Sequence, residues 1–319
     1  MMIKEALFRS LTKLFLPSLA RNMEEEGTFR VFEGKNAVTD ETEYFRVDDR
    51  GSDVSIFVFS GMDVLFAGEP RFEFRRQLEG LGYPVNTVFI RELRRSGYMF
   101  APDGSPTGSA YYERKVNELK RQLGARVNIA MGASGGGLAA FYFGTRCGFD
   151  HAIGFSPAFP ISVWLGWRPL LKVLFNLRQL LTHPTEYIEV LLVAISANVI
   201  EHVVSRTLPP EQVVDAYELY ASSAPRPSGT IFYGERCIPD AEQARIVGPL
   251  EGITLRPVPT GRHNCPGYLK ERGKLADALH AEIRGVLRMK GINVADEPFA
   301  GTERSAVIEG TQLPQAETV

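Results

Sequence analysis

The chain has 319 residues, 44% hydrophobic and 23% charged, a composition that can bury a large core as one domain carrying an insertion. A formal net charge of -2 offers no broad basic surface, so nucleic acid is excluded as an expected partner. Cys147, Cys237 and Cys265 form no C-x-x-C pair and are odd in number, which argues against a disulfide framework and for a reducing cytoplasm.

In chain order, the first segment is "MMIKEALFRSLTKLFLPSLARN", with Leu7, Phe8, Leu11, Leu14, Phe15 and Leu19 at roughly helical spacing among Lys4, Arg9, Lys13 and Arg21. It reads as an amphipathic helix within a lead-in over residues 1–49. Charges interrupt each apolar run, which excludes a spanning segment, and no cleavage signal follows. Packing on its own domain and peripheral membrane contact through residues 1–22 both remain open for it.

Strand-like runs follow at 54–61, 86–91, 127–132, 151–156, 229–234 and 253–259. Helical patterns such as "FEFRRQLEGLG", "YYERKVNELKRQLG" and "GGGLAAFYFGTR" lie between them. Continuous apolar strands alternating with helices predict a doubly wound, mostly parallel α/β sheet buried on both faces, spanning residues 50–290. Between Ser156 and Gly229 the rhythm breaks for about 70 residues. Segments there, "ISVWLGWRPLLKVLFNLRQLL", "YIEVLLVAISANVIEHVV" and "PPEQVVDAYELYASS", predict a helical cap insertion at about 160–227. Its apolar residues serve as core, or Trp164, Trp167 and Phe175 line an acyl or lipid pocket. After Gly291 the sequence loses periodicity, and 291–319 reads as a flexible tail.

At the end of the third apolar run stands "NIAMGASGGGLAA", in which Gly132, Ser134 and Gly136 satisfy G-x-S-x-G between a strand and a helix. A serine on such a turn exposes its hydroxyl, and the helix behind it aims N–H groups at the same point. These features resemble the nucleophile elbow of the α/β-hydrolase superfamily. The likeness covers about residues 50 to 290 and implies that superfamily's fold, with serine-based acyl chemistry. A weaker likeness, carried by "FIRELRRSGYMFAPDG", "FEFRRQLEGLG" and "RHNCPGYLKERGKL", is to a loosely defined bacterial subgroup of unsettled activity.

A serine hydroxyl needs a base to take its proton. The resemblance implies the order serine, acid, histidine along the chain, and His263, in the loop after the last strand, fits the final place. His151, His183, His202 and His280 read as structural. For the acid, "YGERCIPDAEQA" offers Glu235, Asp240 and Glu242; a familiar superfamily spacing falls instead on Cys237, a departure. Asp240 is the expected acid, with an ordinary helix cap as its alternative, Glu235 as a second candidate and a serine–histidine pair without an acid as a third. The same resemblance implies backbone oxyanion donors at Met62 and Gly135, with Gly61 turning the chain toward the site. Arg91, Glu92, Arg94, Arg95 and Tyr98 lie after a strand's carboxyl end, where open sheets bind ligands, so Arg91, Tyr98 and the cap's Trp164 are candidate substrate contacts.

No metal-ligand spacing, dinucleotide turn or phosphate loop is present, so no cofactor and no metal are expected. The reading is a cytoplasmic serine hydrolase, soluble or peripheral at a membrane, acting on a small or polymer-borne acyl ester. An acyltransferase using an alcohol or sugar acceptor and a catalytically silent binding module are the alternatives.

Overall fold

The computed structural model describes residues 40–61, 72–79, 84–94, 96–207 and 215–292, with residues 10, 13, 14, 20 and 21. Most of the expected amino-terminal helix, the tail from 293 onward, Met62 and Arg95 lie outside the described residues.

The strands are β1 (Phe45–Asp48), β2 (Val54–Phe59), β3 (Asn86–Ile90), β4 (Val127–Ala133), β5 (His151–Phe155), β6 (Ser228–Gly234) and β7 (Ile253–Val258). They form one sheet in the order β1-β3-β2-β4-β5-β6-β7. β1 runs antiparallel to β3, and every other pairing is parallel. Helices α1 (Arg75–Glu79), α2 (Gly108–Leu123), α3 (Gly135–Arg146), α4 (Trp167–Leu174), α5 (Leu177–Thr182), α6 (Pro184–Thr207), α7 (Ala216–Ser222), α8 (Ile238–Val247), α9 (Cys265–Glu271) and α10 (Leu275–Met289) complete the described elements. This is the doubly wound α/β architecture that the sequence pattern predicts, with α4–α6 inserted between β5 and β6.

Successive side chains of a strand point to opposite faces, and both faces of this sheet are covered. Ile56 and Val58 join one core with Leu279 and Ile283 of α10. Phe57 and Phe59 join the other with Tyr112 and Val116 of α2 and Phe143 of α3. Residues 275, 279, 283, 286 and 287 of α10 are buried, a three-to-four spacing that places them on one face. Only at the rim does the pattern change: β7 alternates in exposure, and its Pro257, which has no N–H to donate, is tolerated on an edge strand. β1 was not expected from the sequence, because four half-buried residues leave too short a hydrophobic signal. α7 begins after Asp215, whose side chain accepts from the amides of Tyr217 and Glu218.

From β2 the chain winds outward to β3 and then returns to β4 on the other side of β2. A change of winding direction of this kind is where open α/β sheets hold their ligands, outside the carboxyl ends of the strands. No described helix is long and apolar enough to cross a membrane.

His151 opens β5 at the opposite end of that strand. It is buried, with Nδ1 2.7 Å from Ser228 Oγ and Nε2 3.2 Å from Thr230 Oγ1. Burial, partly opposed by Glu282, depresses its pKa from 6.5 to about 4. The unfolded chain takes up this proton first as pH falls, so the stabilisation present above pH 6.5 is lost as pH drops through 4, worth on the order of 3 kcal/mol. Urea unfolding measured between pH 7 and pH 4 should show the wild-type stability falling, and His151→Gln should flatten that slope.

Candidate active site

β4 ends at Ala133 and α3 begins at Gly135, leaving Ser134 to make the whole reversal. Its φ of +51° and ψ of -120° lie where an L-residue is strained, and neighbouring bonds hold it there. The Ser134 N–H donates to Phe155 O at 2.9 Å, while its carbonyl accepts from Leu138 at 3.0 Å and Ala158 at 3.1 Å. Gly136 is required by a close approach: a Cβ there would stand 2.1 Å from Phe59 O and 2.9 Å from Gly61 N. The loop after β2 thus lies directly against the first turn of α3. Gly135 heads that helix, and a first-turn N–H has no carbonyl one turn behind it within the helix.

His263 sits in the loop between β7 and α9, buried, with Nε2 2.8 Å from Ser134 Oγ and Nδ1 2.9 Å from Asp240 Oδ1. The aspartate accepts at Nδ1, so that nitrogen carries the proton and Nε2 is free to accept the serine hydroxyl. Asp240 is the third residue of α8, where the positive end of the helix favours a carboxylate. Its Oδ2 is buried and makes no hydrogen bond among the described residues. Cys237 caps the same helix and stays a neutral thiol, because burial first and the Asp240 charge second push its pKa well up. Glu235 is exposed and turned away, its amide bonded to Val258 O. Cys237, Asp240 and His263 also lie close enough to suggest a metal cluster. A neutral thiol and a histidine whose two nitrogens are both engaged do not suit that use.

Trp164 packs its ring edge-on to His263 at 4.6 Å between centroids. Tyr98, with φ +68°, donates its hydroxyl to Ser60 O at 3.0 Å and Ile90 O at 3.2 Å, bracing the loop that leads into Gly61. Arg91 is directed elsewhere: it pairs with Glu43 and lies over the Phe72 ring. Arg94 donates to Pro102 O, and the buried Glu92 accepts from the amides of Arg94, Ser96 and Tyr98. Glu92 and Arg94 therefore fold their own loop. Met62 falls outside the described residues.

The insertion supplies residues that sequence reasoning did not single out. Gln179 of α5 donates to Gly261 O at 3.0 Å, Glu186 of α6 accepts from Thr260 Oγ1 at 3.2 Å, and Glu189 accepts from the Asn264 N–H at 2.8 Å. Together they fix the loop on both sides of His263. A Cβ at Gly261 would stand 2.5 Å from Glu186 Oε2 and 2.7 Å from Gln179 Nε2, so a larger residue there would push both side chains off the loop. Burial raises the Glu189 pKa, opposed mainly by the Asn264 amide. A signal was present: Glu186 and Glu189, one turn apart, stand in the mainly apolar first half of α6.

A scan of family models finds no match to the chain, and a search of curated proteins by sequence finds none. Solved structures do match in fold. A "putative esterase" from Staphylococcus aureus aligns over 75% of this chain and 79% of its own, at 15% identity and a TM-score of 0.50. A protein of unknown function from Staphylococcus aureus subsp. aureus Mu50 aligns over 76% and 93%, at 10% identity and a TM-score of 0.50. An esterase from Exiguobacterium antarcticum aligns over 75% and 95%, at 15% identity and a TM-score of 0.46. The chain has the α/β-hydrolase fold, with a mostly parallel seven-stranded sheet and a helical insertion.

The cap's hold on the histidine loop can be measured separately from any chemistry. Glu189→Leu should leave the Asn264 N–H without its acceptor and cost about 1–3 kcal/mol in urea unfolding. Glu189→Gln keeps an acceptor oxygen and should lose much less.

Proposed function

We propose that the protein is a serine hydrolase that cleaves an ester-type acyl bond through an acyl-enzyme. The observation that carries this reading is the continuous chain Ser134 Oγ, His263 Nε2, His263 Nδ1, Asp240 Oδ1, with both links under 3 Å. In the first half-reaction Ser134 Oγ attacks the carbonyl carbon while its proton passes to His263 Nε2. The resulting imidazolium is held by Asp240 and gives the proton to the leaving alkoxide as the carbon–oxygen bond breaks. In the second half-reaction water loses a proton to the same nitrogen and attacks the acyl-enzyme; the proton then returns to Ser134 Oγ as the acid is released.

Negative charge builds on the carbonyl oxygen in each half-reaction. In this reading the Gly135 N–H, at the head of α3, is one donor for it, and the Met62 N–H, next in the chain after Gly61, is the second. Trp164 shields one side of the imidazole from water, which strengthens the electrostatic hold on the imidazolium. An ester, small or polymer-borne, is the substrate class, and the chemistry uses neither a metal nor a cofactor.

A short-chain p-nitrophenyl ester tests the assignment. Ser134→Ala should abolish turnover above background, and His263→Ala should lower kcat by at least about 100- to 10,000-fold. Asp240→Asn should fall by a similar factor, because an amide presents the wrong partner for a protonated Nδ1. Wild-type rates in all three folded variants would overturn the proposal. Product analysis with an added alcohol separates hydrolysis from acyl transfer by the same acyl-enzyme.

A further inference from the structure

The inserted helices have a second face, turned away from His263. Between Trp167 and Leu181 six large apolar side chains are exposed: Trp167 (67%), Leu174, Phe175 (69%), Leu177, Leu180 and Leu181 (82%). Exposed apolar residues are ordinarily scattered, whereas a run this dense marks a surface that meets something apolar. α5 shows the division, since its buried Gln179 reaches the histidine loop while Leu177, Leu180 and Leu181 face outward.

Charge indicates what that something is. Residues 161–185 contain no aspartate or glutamate but carry Arg168, Lys172 and Arg178, in a chain whose net charge is -2. Lys172 is taken up by Glu242 at 2.8 Å, so the positive charge offered outward comes from Arg168 and Arg178, both exposed. Arg168 lies over the Trp167 ring at 5.4 Å, which places a guanidinium beside the most polarisable side chain of the patch. Exposed aliphatic and aromatic groups interleaved with unopposed arginines suit the boundary between acyl chains and anionic headgroups. A second copy of this chain meeting the same face would bring further arginines and, within residues 161–185, no acidic side chain to offset them.

We propose that the outer face of α4 and α5 docks on an anionic lipid surface. The contact is peripheral, and it is independent of the acyl chemistry assigned to Ser134.

The test is co-sedimentation of the full chain with vesicles of phosphatidylcholine alone or with about a third phosphatidylserine. The wild type should pellet with the anionic vesicles, pellet poorly with the neutral ones, and be released by salt. Phe175→Ser with Leu181→Ser, and separately Arg168→Gln with Arg178→Gln, should each reduce the bound fraction at least about tenfold while the far-ultraviolet spectrum and melting stay unchanged. Lack of binding by the wild type would overturn the proposal. So would undiminished binding by both variants, which would move the contact elsewhere in the chain, residues 1–22 included. A wild-type dimer that the Phe175/Leu181 variant turns into monomer, with vesicle binding unaffected, would show that a second copy covers this face and would equally overturn it.

Discussion

An imidazole ring has two nitrogens, and in this protein each is engaged by a residue from a distant part of the chain. Ser134 lies 129 positions before His263 and Asp240 lies 23 before it. Neither bond can form unless the carboxyl ends of β4, β6 and β7 are brought side by side, which the parallel sheet does. The order of strands also sets β2 next to β4, so Phe59–Gly61 and the first turn of α3 meet beside Ser134. Strain at Ser134 is sustained because its backbone N–H and carbonyl are tied to Phe155, Leu138 and Ala158, all within the buried body of the fold.

The insertion joins two properties that the sheet alone does not provide. On its inner side Gln179, Glu186 and Glu189 satisfy polar groups of residues 260–264, so the histidine loop is fixed by helices in addition to its own turn bonds, such as Arg262 N–H to Thr260 Oγ1. On its outer side the same helices leave apolar and basic groups in solvent. α5 therefore bears on the histidine loop through Gly261, two residues before His263, while Trp164, just ahead of α4, packs on the His263 ring. That arrangement gives the cap a mechanical connection to His263.

Much of the fold was legible because its central strands are buried on both faces and read as unbroken apolar runs. The elbow was legible because G-x-S-x-G stands between an unbroken apolar run and a helical pattern, without the glycine order of a dinucleotide turn or the lysine of a phosphate loop. Asp240 and Glu235 stand within one short stretch of the sequence, and which of the two carboxyls the fold turns toward His263 is something a sequence does not display. Arg91 and Tyr98 looked alike as polar residues at a strand end. The structure sends Arg91 to Glu43 and Tyr98 to the loop before Gly61, since each satisfies a partner 48 or 38 positions away. Glu189 was passed over for the same reason, its partner Asn264 being 75 positions distant. Long-range pairings of single polar side chains carry no periodicity, whereas burial of whole strands does.

The central claim is that His263 makes Ser134 a nucleophile. A fluorophosphonate probe reacts with serines so activated, and peptide mass spectrometry locates the adduct. The account predicts labelling of the wild type at Ser134, lost in Ser134→Ala and strongly reduced in a folded His263→Ala variant. A folded wild type that stays unlabelled while a control serine hydrolase reacts, or an adduct on another residue, would contradict it.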